Sequence, residues 1–235
     1  MTLAIMQPYF FPYIGYFQLI SSVNKFIIYD DVNFIKGGWV NRNNILINKK
    51  ISLFTVPLVN VSSNTLINNT KINLKFYNVW KVKFLRSLEY SYKKAPYFTE
   101  VYNLVENVLQ INKNDSISGL AINSIKNVID YLQLDTEICE TSEKYNNKNK
   151  KGQERVLDIC RIEQASHYIN PIGGLELYSK NTFKENGIVL NFVKSKPIVY
   201  TQFDNNFFPH LSIIDVLMFN SVIEVNKMIN QYELI

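Results

Sequence analysis

Three short stretches hold the side chains whose types and spacing could do chemistry. The first is Met6-Gln7-Pro8-Tyr9-Phe10-Phe11-Pro12-Tyr13-Ile14-Gly15-Tyr16. Gln7, Tyr9, Tyr13 and Tyr16 offer donors and acceptors beside a turn shaped by Pro8 and Pro12, and Gly15 would let a ligand approach the first turn of a helix closely. Plain aromatic packing around a proline turn is the competing reading. The second stretch is Asp30-Asp31, followed by Trp39, Asn41 and Arg42. Asp31 could orient an amine or a sugar hydroxyl, Arg42 could fork onto a phosphate, and Trp39 could stack on a ring. The bland alternative is a strand-end cap for Asp30 and a salt bridge to Arg42. The third is Pro209-His210-Leu211-Ser212-Ile213-Ile214-Asp215. Ser212 and Asp215 have the spacing of a capping box, which leaves His210, whose imidazole can take or give a proton, as a general acid or base.

The remaining reactive side chains carry less. Cys160 falls among Val156, Leu157 and Ile159 and reads as a buried thiol. His167 follows Ser166 at the start of an extended segment, with no carboxylate spaced for a hydrolase triad. Gly173-Gly174 is a turn that could cradle an anion. Lys148, Lys150, Lys151 and Arg155 read as a solvated basic loop, with a phosphate lid as the alternative. No ligand spacing for a metal occurs, and no cofactor is indicated.

These stretches need elements to bring them together. Residues 3–7 form a short apolar run, 8–13 a turn, 14–23 a helix and 26–29 a second buried strand, the grammar of a parallel crossover unit. From 39 to 59 the period changes to two, predicting a hairpin turned at Lys49-Lys50. Trp80, Phe84, Leu88 and Tyr92 recur every fourth residue within a helix over 76–95 that Pro96 stops. Helices follow over 97–110 and 116–132, the latter capped by Asp115 or Ser116. A strand at 137–139, a helix over 153–163, an extended stretch at 168–170, a strand at 188–193 and helices over 211–219 and 222–232 complete the chain. Strands scattered between helices predict a Rossmann-like α/β fold, a mainly parallel central sheet flanked by helices. Residues 1–235 are expected to form one α/β domain, with the helical block 76–132 as an inserted subdomain.

Composition bounds the function. The chain has 235 residues, 47% of them apolar, with eight Gly and seven Pro, which excludes disordered and low-complexity classes. Two cysteines, Cys139 and Cys160, cannot frame a disulfide scaffold or a four-thiolate zinc site and suit a reducing cytoplasm. No apolar run reaches the ~20 residues of a membrane span, and no signal peptide is legible at the start. The net charge of +5 includes only four arginines among 25 basic residues, which argues against DNA and for a smaller anion such as a phosphate.

The first block resembles the strand–loop–helix start of nucleotidyltransferases with a His-x-Gly-His signature, with Tyr13 and Tyr16 standing where the histidines would be. Taken with Tyr29-Asp30-Asp31-Val32, Trp39-Val40-Asn41-Arg42-Asn43, Tyr92-Lys93-Lys94-Ala95-Pro96-Tyr97 and Phe208-Pro209-His210-Leu211-Ser212-Ile213-Ile214-Asp215, it resembles the WbqC-like family over nearly the whole chain. The resemblance implies a role in bacterial surface-polysaccharide loci, including O-antigen and so lipopolysaccharide biosynthesis. It also implies a glycine or aminoacyl transferase acting on amino sugars. Under that implication the chain is an N-acyltransferase for a nucleotide-linked sugar. Its donor is coenzyme A, a carrier protein or aminoacyl-tRNA. His210, Asp31 and Asn41 act at the reacting centre, and Gln7, Pro8, Tyr9, Tyr13, Gly15, Tyr16, Asp30, Trp39, Arg42 and Asp215 surround the substrate. The competing reading is a non-catalytic nucleotide-sugar-binding or assembly module of the same pathway.

Overall fold

A computed structural model describes residues 1–111, 116–203 and 206–235. In chain order the elements are β1 (Thr2–Met6), α1 (Ile14–Ser21), β2 (Lys25–Ile28), β3 (Arg42–Ile47), β4 (Lys50–Thr55), α2 (Leu74–Tyr92), α3 (Phe98–Val108) and α4 (Ile117–Leu132). They continue with β5 (Glu137–Cys139), α5 (Gly152–Ile162), β6 (His167–Pro171), α6 (Lys180–Glu185), β7 (Val189–Ser195), α7 (Ile213–Phe219), α8 (Val222–Ile229) and β8 (Tyr232–Leu234). Six strands form one sheet in the order β5-β2-β1-β6-β7-β8; the first five are parallel and β8 is antiparallel to β7. Numbered by their appearance in this sheet, the strands read 3-2-1-4-5-6, the order of a Rossmann fold. The expected α/β architecture is therefore present.

The physical cause is visible in β1 and β2. Both run apolar without a break because helices cover both faces of a parallel sheet. Alternation still sorts them: Ala4, Phe26 and Ile28 enter one apolar cluster, while Leu3, Ile5 and Ile27 enter the other. α2, α3 and α4 contribute Leu88, Val105 and Ile125 to the same cluster as Phe17 of α1. Ser116 caps α4 by accepting from the Gly119 N–H at 3.0 Å; Asp115 lies outside the described residues.

Two local expectations are corrected. Ser212 and Asp215 form no capping box, because Asp215 turns inward to other donors; the box in this region is Ser221 with Glu224. The last helix ends at Ile229, and Tyr232 belongs to β8, where its strand bonds to β7 outweigh the continued helical spacing.

A charged knot fastens the sheet edge. Glu163 receives Lys25 at 2.8 Å, Lys144 at 3.0 Å and the Tyr145 hydroxyl at 2.6 Å. Burial alone would raise its pKa, but these donors outweigh burial and hold it at about 2. A carboxylate depressed in the folded state contributes stability that is complete above the unfolded pKa of ~4.3 and is lost as pH falls toward 2. Denaturant melts at stepped pH should lose about 1–2 kcal/mol over that window, allowing for partial solvent screening. Glu163→Gln should flatten that part of the profile; an unchanged profile would show that other carboxylates carry the acid loss.

Candidate functional site

In a sheet of this order the chain adds strands outward from β1 on one side and then from β6 on the other, and ligands bind beyond the carboxyl ends near that switch point. The loop after β1 occupies this end, and it is an unusually constrained loop. Phe11 is held at φ +43°, a left-handed conformation that is an outlier for a bulky residue. Hydrogen bonds from distant segments hold it there. The Phe11 N–H donates to Ser124 Oγ at 3.0 Å, and its carbonyl accepts from Asn43 Nδ2 at 2.6 Å and Ser212 Oγ at 2.8 Å. The Phe10 N–H donates to the Val40 carbonyl, Ile213 N–H to Pro12, and Ser212 N–H to Asn44. The first stretch, the third and the 39–44 part of the second are thereby joined into one assembly, through Asn43 and through Ser212, to which sequence reading gave only a capping role.

Two adjoining cavities open on this assembly. A cleft of about 430 Å³ lies between Gly15 at the start of α1, the segment after β7 with Lys196 and Tyr200, and His210. A smaller one of about 280 Å³ is lined by Tyr9, Tyr13, Trp39, Asn44 and His210. Tyr13 and His210 are common to both. His210 is exposed at φ +60°, a conformation that turns its imidazole loop sharply just before the buried Leu211. A Cβ on Gly15 would lie 2.4 Å from the Tyr13 ring, so the absence of a side chain there lets that ring cover the helix start.

Aromatic rings make the walls. Tyr9 sits 6.3 Å from Tyr13, 6.3 Å edge-on from Tyr16 and 6.1 Å from Trp39. Trp39 remains 48% exposed and Tyr13 37%, the ring faces a sugar or base can stack on. Burial pushes the Tyr9, Tyr13 and Tyr16 hydroxyls above the ordinary phenol range, most strongly for Tyr16, while Arg42 draws Tyr9 back slightly. These tyrosines therefore stay protonated and act as hydrogen-bond donors. Tyr16 already donates, to the Gln7 carbonyl at 2.9 Å.

Arg42 supplies the charge. Its guanidinium lies 5.5 Å from the Trp39 ring, and its Nε is buried without a hydrogen-bond partner. Among the described residues no carboxylate pairs with it, so the salt bridge to Arg42 weighed as the bland alternative does not form. Arg42 lines neither cavity itself but adjoins the smaller one through Trp39. A half-buried cation with an unsatisfied N–H is an unfavourable arrangement unless an acceptor completes it.

The two acidic residues are held elsewhere. Asp31 is buried against Arg155 at 2.6 Å and accepts from the Ser142 hydroxyl, while Arg155 also bonds Asn147 and stacks on Tyr29 at 4.8 Å. Asp30 accepts from Thr141 at 2.8 Å and Ser118 at 3.1 Å, and burial raises its pKa. Both sit at the carboxyl end of β2 and line neither cavity containing His210. Arg155, which sequence reading placed in a solvated loop, is 3% exposed. Asn41 is likewise occupied, its side-chain amide donating to the Val56 carbonyl at 2.9 Å. Asp215 is fully buried and accepts from Tyr200 at 2.6 Å, Tyr92 at 2.7 Å and Gln202 at 2.9 Å; burial pushes its pKa up against those bonds. Through Tyr200 it shapes the cleft wall from behind. Pro8 is buried in the loop and Gln7 half-buried beside it. Asn44, Lys196 and Tyr200 are lining residues that sequence reading missed. The signal for Asn44 was its alternation with Asn43 along β3, one facing inward and its neighbour outward.

Among the described residues no three His, Cys, Asp or Glu side chains gather as metal ligands, and no helix is long and apolar enough to cross a membrane. Cys139 and Cys160 are both buried free thiols.

Comparison with known proteins follows the same outline. The family model described as “WbqC-like protein family” matches residues 7–227. A Mycobacterium tuberculosis protein described as “Uncharacterized protein Rv1507c” is 29% identical over 222 residues, covering 91% of this chain and 91% of its own length. No solved structure matches the chain significantly.

Proposed function

The chain belongs to the WbqC-like protein family, and on that premise we propose that it is an N-acyltransferase, glycyl or aminoacyl transfer included, for a nucleotide-linked amino sugar of bacterial surface-polysaccharide and O-antigen synthesis. The observation that carries the reading is the unpaired Arg42 guanidinium, with a buried, unsatisfied Nε, beside a cavity walled by Tyr9, Tyr13 and Trp39 and reached by His210. Phosphate oxygens satisfy Arg42, and the rings take a flat sugar or base face.

In this mechanism the sugar amine attacks the carbonyl carbon of the acyl donor, forming the C–N bond. The amine proton passes to His210, the bond to the donor sulfur or oxygen breaks, and His210 returns the proton to that leaving atom. Asn44 and the protonated Tyr13 are the donors placed to hold the developing oxyanion, each worth about 3–4 kcal/mol in favourable geometry. They take the place of Asn41, whose amide is already bonded to Val56. Asp31, paired with Arg155, serves the scaffold in this scheme. Coenzyme A, a carrier protein and aminoacyl-tRNA remain the donor classes, and the cytoplasm, where nucleotide-linked sugars are made, is the proposed compartment.

Thermal melts against dTDP, UDP, GDP, CDP, ATP, coenzyme A and nucleotide-linked amino sugars test the binding step. A ligand at one hundred times its dissociation constant adds about 2.7 kcal/mol of stability. One nucleotide sugar should raise the melting temperature, and Arg42→Ala should weaken that binding about 10- to 100-fold by removing a charge-assisted pair. A panel without any shift, or a shift indifferent to Arg42, would remove the acceptor site.

A further inference from the structure

We infer that Gln202, oriented by Asp215, is the positioning residue that holds His210 in place; the inference rests on the acid–base role proposed for that imidazole. Gln202 is 4% exposed, and its side-chain amide bonds the Phe208 backbone at two points. Its Oε1 accepts from the Phe208 N–H at 2.8 Å, and its Nε2 donates to the Phe208 carbonyl at 3.2 Å. The second Nε2 hydrogen goes to Asp215 Oδ1 at 2.9 Å. The amide thus acts like one rung of a strand ladder, clipping together two positions six residues apart. His210 follows two residues beyond this clip.

Asp215 decides which way the amide faces. Its carboxylate receives Tyr200 and Gln202 at Oδ1 and Tyr92 at Oδ2. The amide nitrogen must therefore turn toward it, which leaves the amide oxygen for the Phe208 N–H. The carboxylate is itself anchored, being fully buried on α7 and bonded to a Tyr92 hydroxyl that accepts from the Leu46 N–H at 2.8 Å. Tyr200, which shares Oδ1 with Gln202, lines the larger cleft beside His210. Cleft wall and imidazole loop are thus fixed to one oxygen.

The segment is pinned on the other side of His210 as well. The Ser212 N–H donates to the Asn44 carbonyl, and Ser212 Oγ donates to the Phe11 carbonyl, both at 2.8 Å. His210 lies midway between the two pinned residues, Phe208 and Ser212, and stands at φ +60°. A left-handed conformation at a residue other than glycine persists where its surroundings over-determine it, and the two pins do so here. Phe208 is half-buried and His210 exposed, so breaking the clip opens the Phe208 backbone groups to water and does not strand them. Asp215 would keep both tyrosine donors. Gln202→Met matches the side chain in length and lacks the amide, so it should preserve the fold and release one of the two pins.

The chain has two histidines, His167 and His210, so the imidazole is directly observable by NMR, with His210→Ala giving the assignment. His210 should show one set of ring signals in the wild type and a shifted or doubled set in Gln202→Met, with His167 unchanged as the internal control. The Phe208 amide should exchange slowly with solvent in the wild type and about tenfold or more faster in the variant. Turnover of Gln202→Met should fall about 10- to 100-fold, the usual effect of a small misplacement, while the dissociation constant of the nucleotide sugar stays within about twofold. Gln202→Met combined with His210→Ala should match His210→Ala alone within about twofold, because nothing is left to position. A general structural defect would multiply the two losses. Unchanged His210 ring signals in the variant, or a double variant about tenfold below His210→Ala, would overturn the inference. So would a Phe208 amide that exchanges freely in the wild type, a measurement that needs no variant to fold. Should His210→Ala retain turnover, the acid–base role fails, and the NMR and exchange results still decide whether Gln202 fixes the imidazole.

Discussion

Arg155→Ala is expected to cost about 3–5 kcal/mol of folding stability, the largest loss from any single substitution considered for this chain. Arg155 and Asp31 are 4% and 0% exposed at the side chain and meet at 2.6 Å. Removing the guanidinium leaves the Asp31 carboxylate buried with the Ser142 hydroxyl and no cation. It also removes the bond to Asn147 and the stack on Tyr29, which tie the residue 140–150 loop and α5 to the end of β2. Differential scanning calorimetry should record a fall in melting temperature on the order of 10 °C. Replacing both partners by apolar residues, Asp31→Leu with Arg155→Met, should restore much of the loss, because the penalty comes from an uncompensated charge rather than from a missing attraction. A fall below about 1 kcal/mol for Arg155→Ala would mean that water reaches the pair.

His210→Ala carries the largest expected effect on activity. A positioned acid–base group contributes roughly 10²–10⁴-fold to turnover. Formation of the acylated sugar, followed by mass spectrometry, should fall by that factor while the thermal shift produced by the nucleotide sugar is kept. His210→Gly separates chemistry from backbone strain. At φ +60° glycine is at ease where histidine is not, so this variant should match or exceed wild-type stability while losing turnover equally. Retained turnover in both variants would mean that another group moves the proton and that His210 only lines the wall. Loss of ligand binding together with turnover would assign His210 to recognition.

Some of this was legible along the chain. The unbroken apolar runs of β1 and β2 and the crossover between them announced a parallel sheet, and the i, i+4 series Trp80, Phe84, Leu88 and Tyr92 announced α2. His210 stood out because no local role accounted for it. Asp30 and Asp31 misled for a physical reason: an acidic pair at a strand end looks alike whether its partner is a ligand or a buried arginine 124 residues away. Asp215 misled similarly, since capping-box spacing does not reveal Tyr92 and Tyr200 competing for the same carboxylate.

Hydrophobic periodicity, turn residues and family motifs are local quantities, and on them rest the α/β class, the order of the elements and the stretches around Tyr9, Trp39 and His210 that meet at the two cavities. The pairing of buried charges is not local. A carboxylate or guanidinium removed from water must find a partner in three dimensions. The chain therefore decided only in folding that Arg155 is satisfied by Asp31 while Arg42 is left beside an aromatic cavity. The tertiary structure alone separates the two arginines into one paired with a buried carboxylate and one whose buried Nε has no hydrogen-bond partner.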